Sequence, residues 1–271
     1  MIVDVLLAVL IGLLVGGVLN VLGDDLPHYR APRMPRYPDD TPRPPLAWLG
    51  ITAFLFGKRS SSGSTRKLSW RYPLTEIGTA ALMVLAVLVA TTHDRMSDLR
   101  LLFWLVYMAF FVLVTVIDVE HRLILFSCVI PFGIVAILDA LVEPAGGPDL
   151  TTSLLGGLMG FGVFFLLYLG GFLFVYMSNQ LRQRQLNTVA FGYGDVMLIT
   201  VSGLMLGWQQ LILTMFITVF LGAAGGLVWL FGRSLIARAY SWYTPLPYGP
   251  YIVIATLVML LFGTQVAGAF L

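Results

Sequence analysis

The chain has 271 residues, of which 58% are hydrophobic and only 11% charged, and its mean hydropathy is +0.89. A soluble domain carries about a quarter charged residues, so this composition excludes an ordinary water-soluble globule and points to the bilayer as solvent. The net charge of +2 is too small to argue for a nucleic-acid partner, and the single cysteine, Cys128, excludes an intramolecular disulfide and a cysteine-rich zinc site.

A membrane helix needs about 20 apolar residues. On that measure eight spans are predicted, at 2–22, 74–91, 101–118, 124–142, 153–176, 195–207, 209–231 and 250–270. The first is read as a retained helix and not a signal peptide, because Asp4 stands where a positive n-region belongs and Asn20 follows where a small-residue cleavage site belongs. The loop at 24–73 is rich in Pro and Arg, which predicts extended chain, and Ser60 to Ser64 reads as flexible linker. Within it, 46–56 is apolar enough to lie in the membrane interface but too short to cross. The sixth and seventh spans meet at Gly207 and Trp208 with no charged loop, which leaves room only for a tight turn.

Charge gives the orientation. With the amino terminus outside, all of the 16 Lys and Arg residues except Arg95 and Arg100 fall in inner loops, a strong positive-inside asymmetry. The predicted fold is therefore an all-α polytopic membrane protein of about eight transmembrane helices. Its one sizeable polar segment is the basic cytosolic loop between helices 1 and 2, and residues 1–271 form a single membrane-embedded domain.

Ionisable groups near hydrocarbon are costly, so each one asks for an explanation. Asp118 ends the third span and Asp195 opens the sixth. One span leaves and one returns between them, so both are expected at the cytoplasmic ends of their helices. Taken singly, Asp118 is explained as an interfacial residue and Asp195 as a helix N-cap. Taken together they suit metal-free hydrolysis, in which one carboxyl accepts a proton from water while the other donates one. Gly192 and Gly194 leave the backbone open to an extended peptide, or simply make a turn into the helix. Arg71 and Glu76 are candidates for substrate binding or support of the site, against the plainer reading of an interfacial arginine and a first-turn glutamate. Asn20 is read as a helix cap or a bridge between helices, and Tyr248 as a helix start and aromatic-belt anchor. The three histidines, His28, His93 and His121, are scattered over different loops and both membrane faces with no metal-ligand spacing, and no metal or cofactor is expected.

At these positions the sequence resembles the type IV prepilin peptidases, which are membrane aspartic proteases of the GxGD kind. The resembling blocks are 12–20 (Gly-Leu-Leu-Val-Gly-Gly-Val-Leu-Asn), 69–76 (Ser-Trp-Arg-Tyr-Pro-Leu-Thr-Glu), Ile117-Asp118 with Glu120-His-Arg and Pro131, Gly192-Tyr-Gly-Asp195, and Pro247-Tyr-Gly-Pro250. The resemblance implies that Asp118 and Asp195 are the catalytic pair. It also implies removal, at the cytoplasmic face of the inner membrane, of the short basic leader of a prepilin or pseudopilin-like substrate, cut after a glycine before the hydrophobic helix. Three departures stand out. The family's Ile-Pro pair reads Ile124-Leu125 here, its lysine two places past the second aspartate is Met197, and the 24–73 loop has no CxxC motif, which puts N-methyl transfer in doubt.

A loop this basic should repel a basic leader, and Glu76, Glu120, Asp39 and Asp40 are the acids available to offset it. Two other readings stay open: a proton-coupled transporter using the two acids as a relay, and an inactive family member acting as an assembly scaffold.

Overall fold

The computed structural model describes residues 1–93, 96–143, 146–182, 192–236 and 248–270, with no account of the side chains of 181, 182, 229, 230, 232–236, 267, 269 and 270. Arg95, Arg184, Arg238 and Pro247, which figure in the sequence reading, lie outside the described residues. The chain divides into two compact units, Met1–Ser127 and Cys128–Leu271. Among the described residues its named elements are all helices, and six of them are long and apolar enough to cross a membrane.

The first unit contains α1 (Ile2–Asp25), the short α2 (Gly50–Leu55), α3 (Arg71–Ala90) and α4 (Asp98–His121). Lipid tails are as apolar as leucine, so helices in a bilayer associate through close packing and polar bridges instead of hydrophobic burial. Accordingly α1 meets α3 through small residues. A Cβ on Gly12 would collide with the backbone of Ala80, and one on Gly16 would sit 2.5 Å from the Glu76 Cα. Polar contact adds to this: Asn20 donates its amide to the Tyr72 carbonyl at 3.0 Å and to Glu76 Oε1 at 3.1 Å, the bridging role read from its position. In α4 the apolar face buries Tyr107, Met108, Phe110 and Phe111. Ser97 caps its start by accepting from the Arg100 N–H, and Arg122, at φ 55°, ends it by donating its N–H to the Asp118 carbonyl at 2.8 Å.

The loop between α1 and α3 is where the structure departs most from the sequence reading. In place of extended chain and linker it folds, with 3-10 turns at Leu26–His28 and Pro45–Ala47, α2 itself, and an apolar cluster of Tyr37, Ala47, Ala53 and Leu68 covered by Phe54 and Tyr72. Two of its cations are stacked on rings: the Arg43 guanidinium lies 4.4 Å over Tyr72 and that of Arg59 lies 4.1 Å over Phe54. Tyr37 donates its hydroxyl to the Lys58 carbonyl, and the Ser61 hydroxyl donates to Asp39, so the serine run is tied back to the loop's other end. Proline fixes φ without forbidding compaction, and cation–π contacts with arginine reward it.

The second unit holds α5 (Phe126–Val142), which opens at the boundary between the units, α6 (Leu150–Arg182), α7 (Tyr193–Ile236) and α8 (Gly249–Phe270). The long α7 is interrupted at Gly207, where φ is 74° and ψ 166°, a conformation essentially confined to glycine. The chain doubles back there. A Cβ on Gly160 of α6 would lie 2.8 Å from the Ile199 carbonyl and 3.3 Å from Leu211, yet in an unbroken helix those two residues would stand about 18 Å apart. Residues 193–206 and 208–236 are thus two arms of a hairpin against α6, the tight turn the sequence required at Gly207. The seam uses glycine on both sides: Gly156 against Gly203, Gly157 against Leu204. Across the other side, Thr256 of α8 donates to the Ser202 hydroxyl at 2.9 Å, fully buried.

Candidate active site

Asp118 sits in the last full turn of α4 and is 5% exposed. Asp195 sits in the first turn of α7 and is 8% exposed. Each carboxylate thus lies buried at the end of a helix, the first in the amino-terminal unit and the second in the carboxy-terminal unit.

Asp195 is not the N-cap that a lone reading of Gly194-Asp195 suggests. The helix begins at Tyr193, two residues earlier, and Asp195 reaches back so that its Oδ2 accepts the Gly192 N–H at 3.0 Å. This is the return half of a capping box, with the acid at the third helical position. The Asp195 N–H in turn donates to the Gly192 carbonyl at 3.1 Å, which closes the turn from both sides. Gly192 therefore serves the acid through its backbone. Gly194, half-buried inside the first turn, is helical.

Tyr248 lies just ahead of α8, and its phenol is raised above the ordinary tyrosine range by burial and by the Asp195 carboxylate nearby. The ring packs over Gly222, where a Cβ would be 3.2 Å from the hydroxyl. Read from sequence, Tyr248 is a helix start and aromatic-belt anchor. The Tyr-Gly-Pro block around it was the available signal, and the fold adds its proximity to the acid.

Arg71 and Glu76, both on α3, are placed differently from each other. Glu76 is fully buried, and its carboxylate is filled by the chain's own donors: the Gly50 N–H at 2.5 Å and the Asn20 amide on Oε1, and the Ile51 N–H at 2.8 Å on Oε2. It therefore caps the start of α2 and fixes the folded loop to the helices, with no face turned to a ligand. Arg71 pairs with Asp24 at the end of α1 and, at 2.5 Å, with Glu120 near the end of α4. These residues, with Tyr72, His28 and His121, line a cavity of about 520 Å³ in the first unit.

Two sequence expectations need correction here. His28 and His121 are not scattered: their rings meet edge to face at 5.6 Å, because the ends of α1 and α4 come together. The offsetting acids also do different jobs. Asp40 pairs with Arg36 at 3.4 Å and Glu120 with Arg71 at the start of α3, so these two neutralise arginines, as Asp25 does for Arg33 at 3.8 Å. Asp39 instead accepts from Ser61 and Thr41, which hold its carboxyl well below the usual range, and Glu76 serves backbone donors. Among the described residues no three His, Cys, Asp or Glu side chains are grouped to hold a metal ion.

Comparison with known proteins bears on the same residues. The sequence profile of the type IV leader peptidase family matches residues 105–227, a stretch that contains both Asp118 and Asp195. A prepilin leader peptidase/N-methyltransferase of Stutzerimonas stutzeri is 30% identical over 247 residues, covering 91% of this chain and 75% of that protein. Proteins of the same description from Aeromonas salmonicida (26% identical over 289 residues, 96% and 91% covered) and Pseudomonas aeruginosa (27% over 304 residues, 98% and 93%) are also similar. No solved structure matches the chain.

Proposed function

We propose that this chain, which belongs to the type IV leader peptidase family, cleaves prepilin-like substrates with Asp118 and Asp195 acting as one aspartic dyad. Family membership makes it a membrane protease that processes prepilins, built as a multi-pass helical protein. The observation that carries the dyad is the pair of buried carboxylates at helix ends, both inside the matched stretch. In the reading adopted here the two units form a single membrane-embedded peptidase of eight spans, counting α5 and each arm of α7 as one. Its loop end and both aspartates face the cytoplasm across the inner membrane.

The chemistry follows from sharing one proton. Two carboxyls brought within a few Å cannot both ionise comfortably, so one is charged and the other protonated. The charged one takes a proton from water, whose oxygen attacks the scissile carbonyl carbon. The protonated one gives its proton to the carbonyl oxygen, and on collapse of the tetrahedral intermediate the C–N bond breaks as the first carboxyl passes the proton it took from water to the amine and the second recovers one from the diol hydroxyl. Neither a metal nor a cofactor has a step. The substrate's hydrophobic helix lies in the bilayer while the bond between its short basic leader and that helix, after a glycine, waits at the inner surface. The ion pairs within the 24–73 loop lessen its repulsion of such a leader. We assign the peptidase reaction alone, and no observation favours the transporter or scaffold readings.

The test is cleavage of a cognate prepilin by the purified protein in detergent, read as the loss of the leader's mass. Asp118→Asn and Asp195→Asn are each expected to abolish cleavage while the protein still accumulates in the membrane. Retained cleavage in either variant removes that residue from the mechanism.

A further inference from the structure

We propose that Arg71 is a positioning residue for Asp118, acting as a clamp that fixes the last turn of α4; the inference rests on the peptidase reading above. The observations are geometric. Arg71 is the first residue of α3, and its side chain is only 12% exposed. Its Nη2 reaches Asp24 Oδ1 at the end of α1, and its Nη1 reaches Glu120 Oε2 near the end of α4 at 2.5 Å. One guanidinium therefore ties the ends of three membrane-spanning helices. The plane of the clamp is set as well: the Arg71 Cζ lies 4.4 Å over the Tyr72 ring, and the Tyr72 hydroxyl donates to Asp24 Oδ2 at 3.0 Å.

Glu120 lies two residues beyond Asp118 in the same closing turn, and Arg122 ends that turn by capping the Asp118 carbonyl itself. Helix ends fray unless something outside the helix holds them. Here the external hold is the Arg71–Glu120 pair, assisted by His121, whose Nε2 is 3.8 Å from Glu120 and whose ring meets His28 of the turn after α1. Lysine cannot replace this. A guanidinium presents separate N–H groups in a rigid plane and serves two carboxylates at once, whereas an ammonium is a single point charge on a flexible stem. Reacting groups misplaced by about 1 Å lose about a hundredfold in rate, so the clamp acts on turnover and not on substrate affinity.

The test combines kinetics with hydrogen exchange on the full-length protein in nanodiscs. Arg71→Lys and Glu120→Gln are each expected to lower kcat about tenfold or more with KM within about twofold of wild type. Amide exchange at residues 119–122 should rise in both. The double variant should be no slower than the slower single one, because both remove the same contact. Three results overturn the proposal: a raised KM at unchanged kcat, which makes Arg71 a substrate contact; losses in the two single variants that multiply in the double; or unaltered exchange at 119–122. Should Arg71→Lys fail to accumulate, Glu120→Gln carries both readouts alone. If the wild-type chain cuts no prepilin the peptidase reading fails, while the exchange comparison still decides whether the clamp exists.

Discussion

Replacing Glu76 by glutamine changes one oxygen to an amide nitrogen, and the structure says what that does. The carboxylate accepts three hydrogen bonds, two on Oε1 and one on Oε2, all from buried or half-buried donors. Glutamine has one carbonyl oxygen. If it keeps the Gly50 and Asn20 donors, its amide group faces the Ile51 N–H, donor against donor. A hydrogen bond to a charged group contributes about 1.5–3 kcal/mol, and a buried donor left unmet costs about 1–3, so a net loss of about 2–4 kcal/mol is expected. That loss is local. It frees α2 and the folded loop while the glycine contacts of α1 with α3 stay in place. Converted at about 1.4 kcal/mol per tenfold, amide exchange across 50–57 should quicken by about 30- to 700-fold in Glu76→Gln. The assay is hydrogen exchange in nanodiscs, with limited proteolysis of the loop as a second measure. Exchange within about threefold of wild type would refute the capping role. A raised KM with the loop still protected would return Glu76 to the substrate-binding role read from sequence.

Gly207→Ala should destabilise the hairpin of α7 by about 1–3 kcal/mol, since φ 74° with ψ 166° is strained for any residue with a Cβ; an unchanged melting temperature in detergent would show that the turn can adopt another conformation. Asp39 gives a pH dependence with a definite sign. Its carboxyl is held below its unfolded value by the Ser61 and Thr41 hydroxyls, so the stability it adds is present above about pH 4 and is lost as pH falls through the lower folded value. Protection across 58–64, taken relative to the intrinsic exchange rate at each pH, should therefore stay constant from neutral pH down to that range and then fall. Asp39→Asn should flatten that response, and identical curves for the two proteins would exclude the tie.

What could be read from the chain alone was the part written in local pattern. Apolar runs place the helices within a few residues, and the uncharged junction at Gly207 signals a turn that the structure realises with a positive φ. The positions of Asp118 and Asp195 at helix ends follow from the same runs. What failed was long-range. Pro and Arg content at 24–73 suggests extension because nothing nearby in sequence reveals that Glu76, 26 residues from Gly50 and 56 from Asn20, supplies the carboxylate that folds it. His28 and His121 likewise look unrelated until α1 and α4 end side by side. The N-cap reading of Asp195 erred by three positions, the offset between the two halves of a capping box, and only the helix start at Tyr193 decides between them.

The seam of α6 with the α7 hairpin has a consequence for how this protein meets its solvent. Where Gly156 lies on Gly203 and Gly160 on Ile199, main chain touches main chain, and an acyl tail finds no crevice to enter. The outward surface of α6, with Leu158, Leu166, Leu173 and Phe174 exposed, is in contrast apolar side chain suited to lipid. Exchanging thick membranes for thin ones, or lipid for detergent, will therefore be felt along that outer wall as altered tilt, while the hairpin crosses every such environment as one stiff insert.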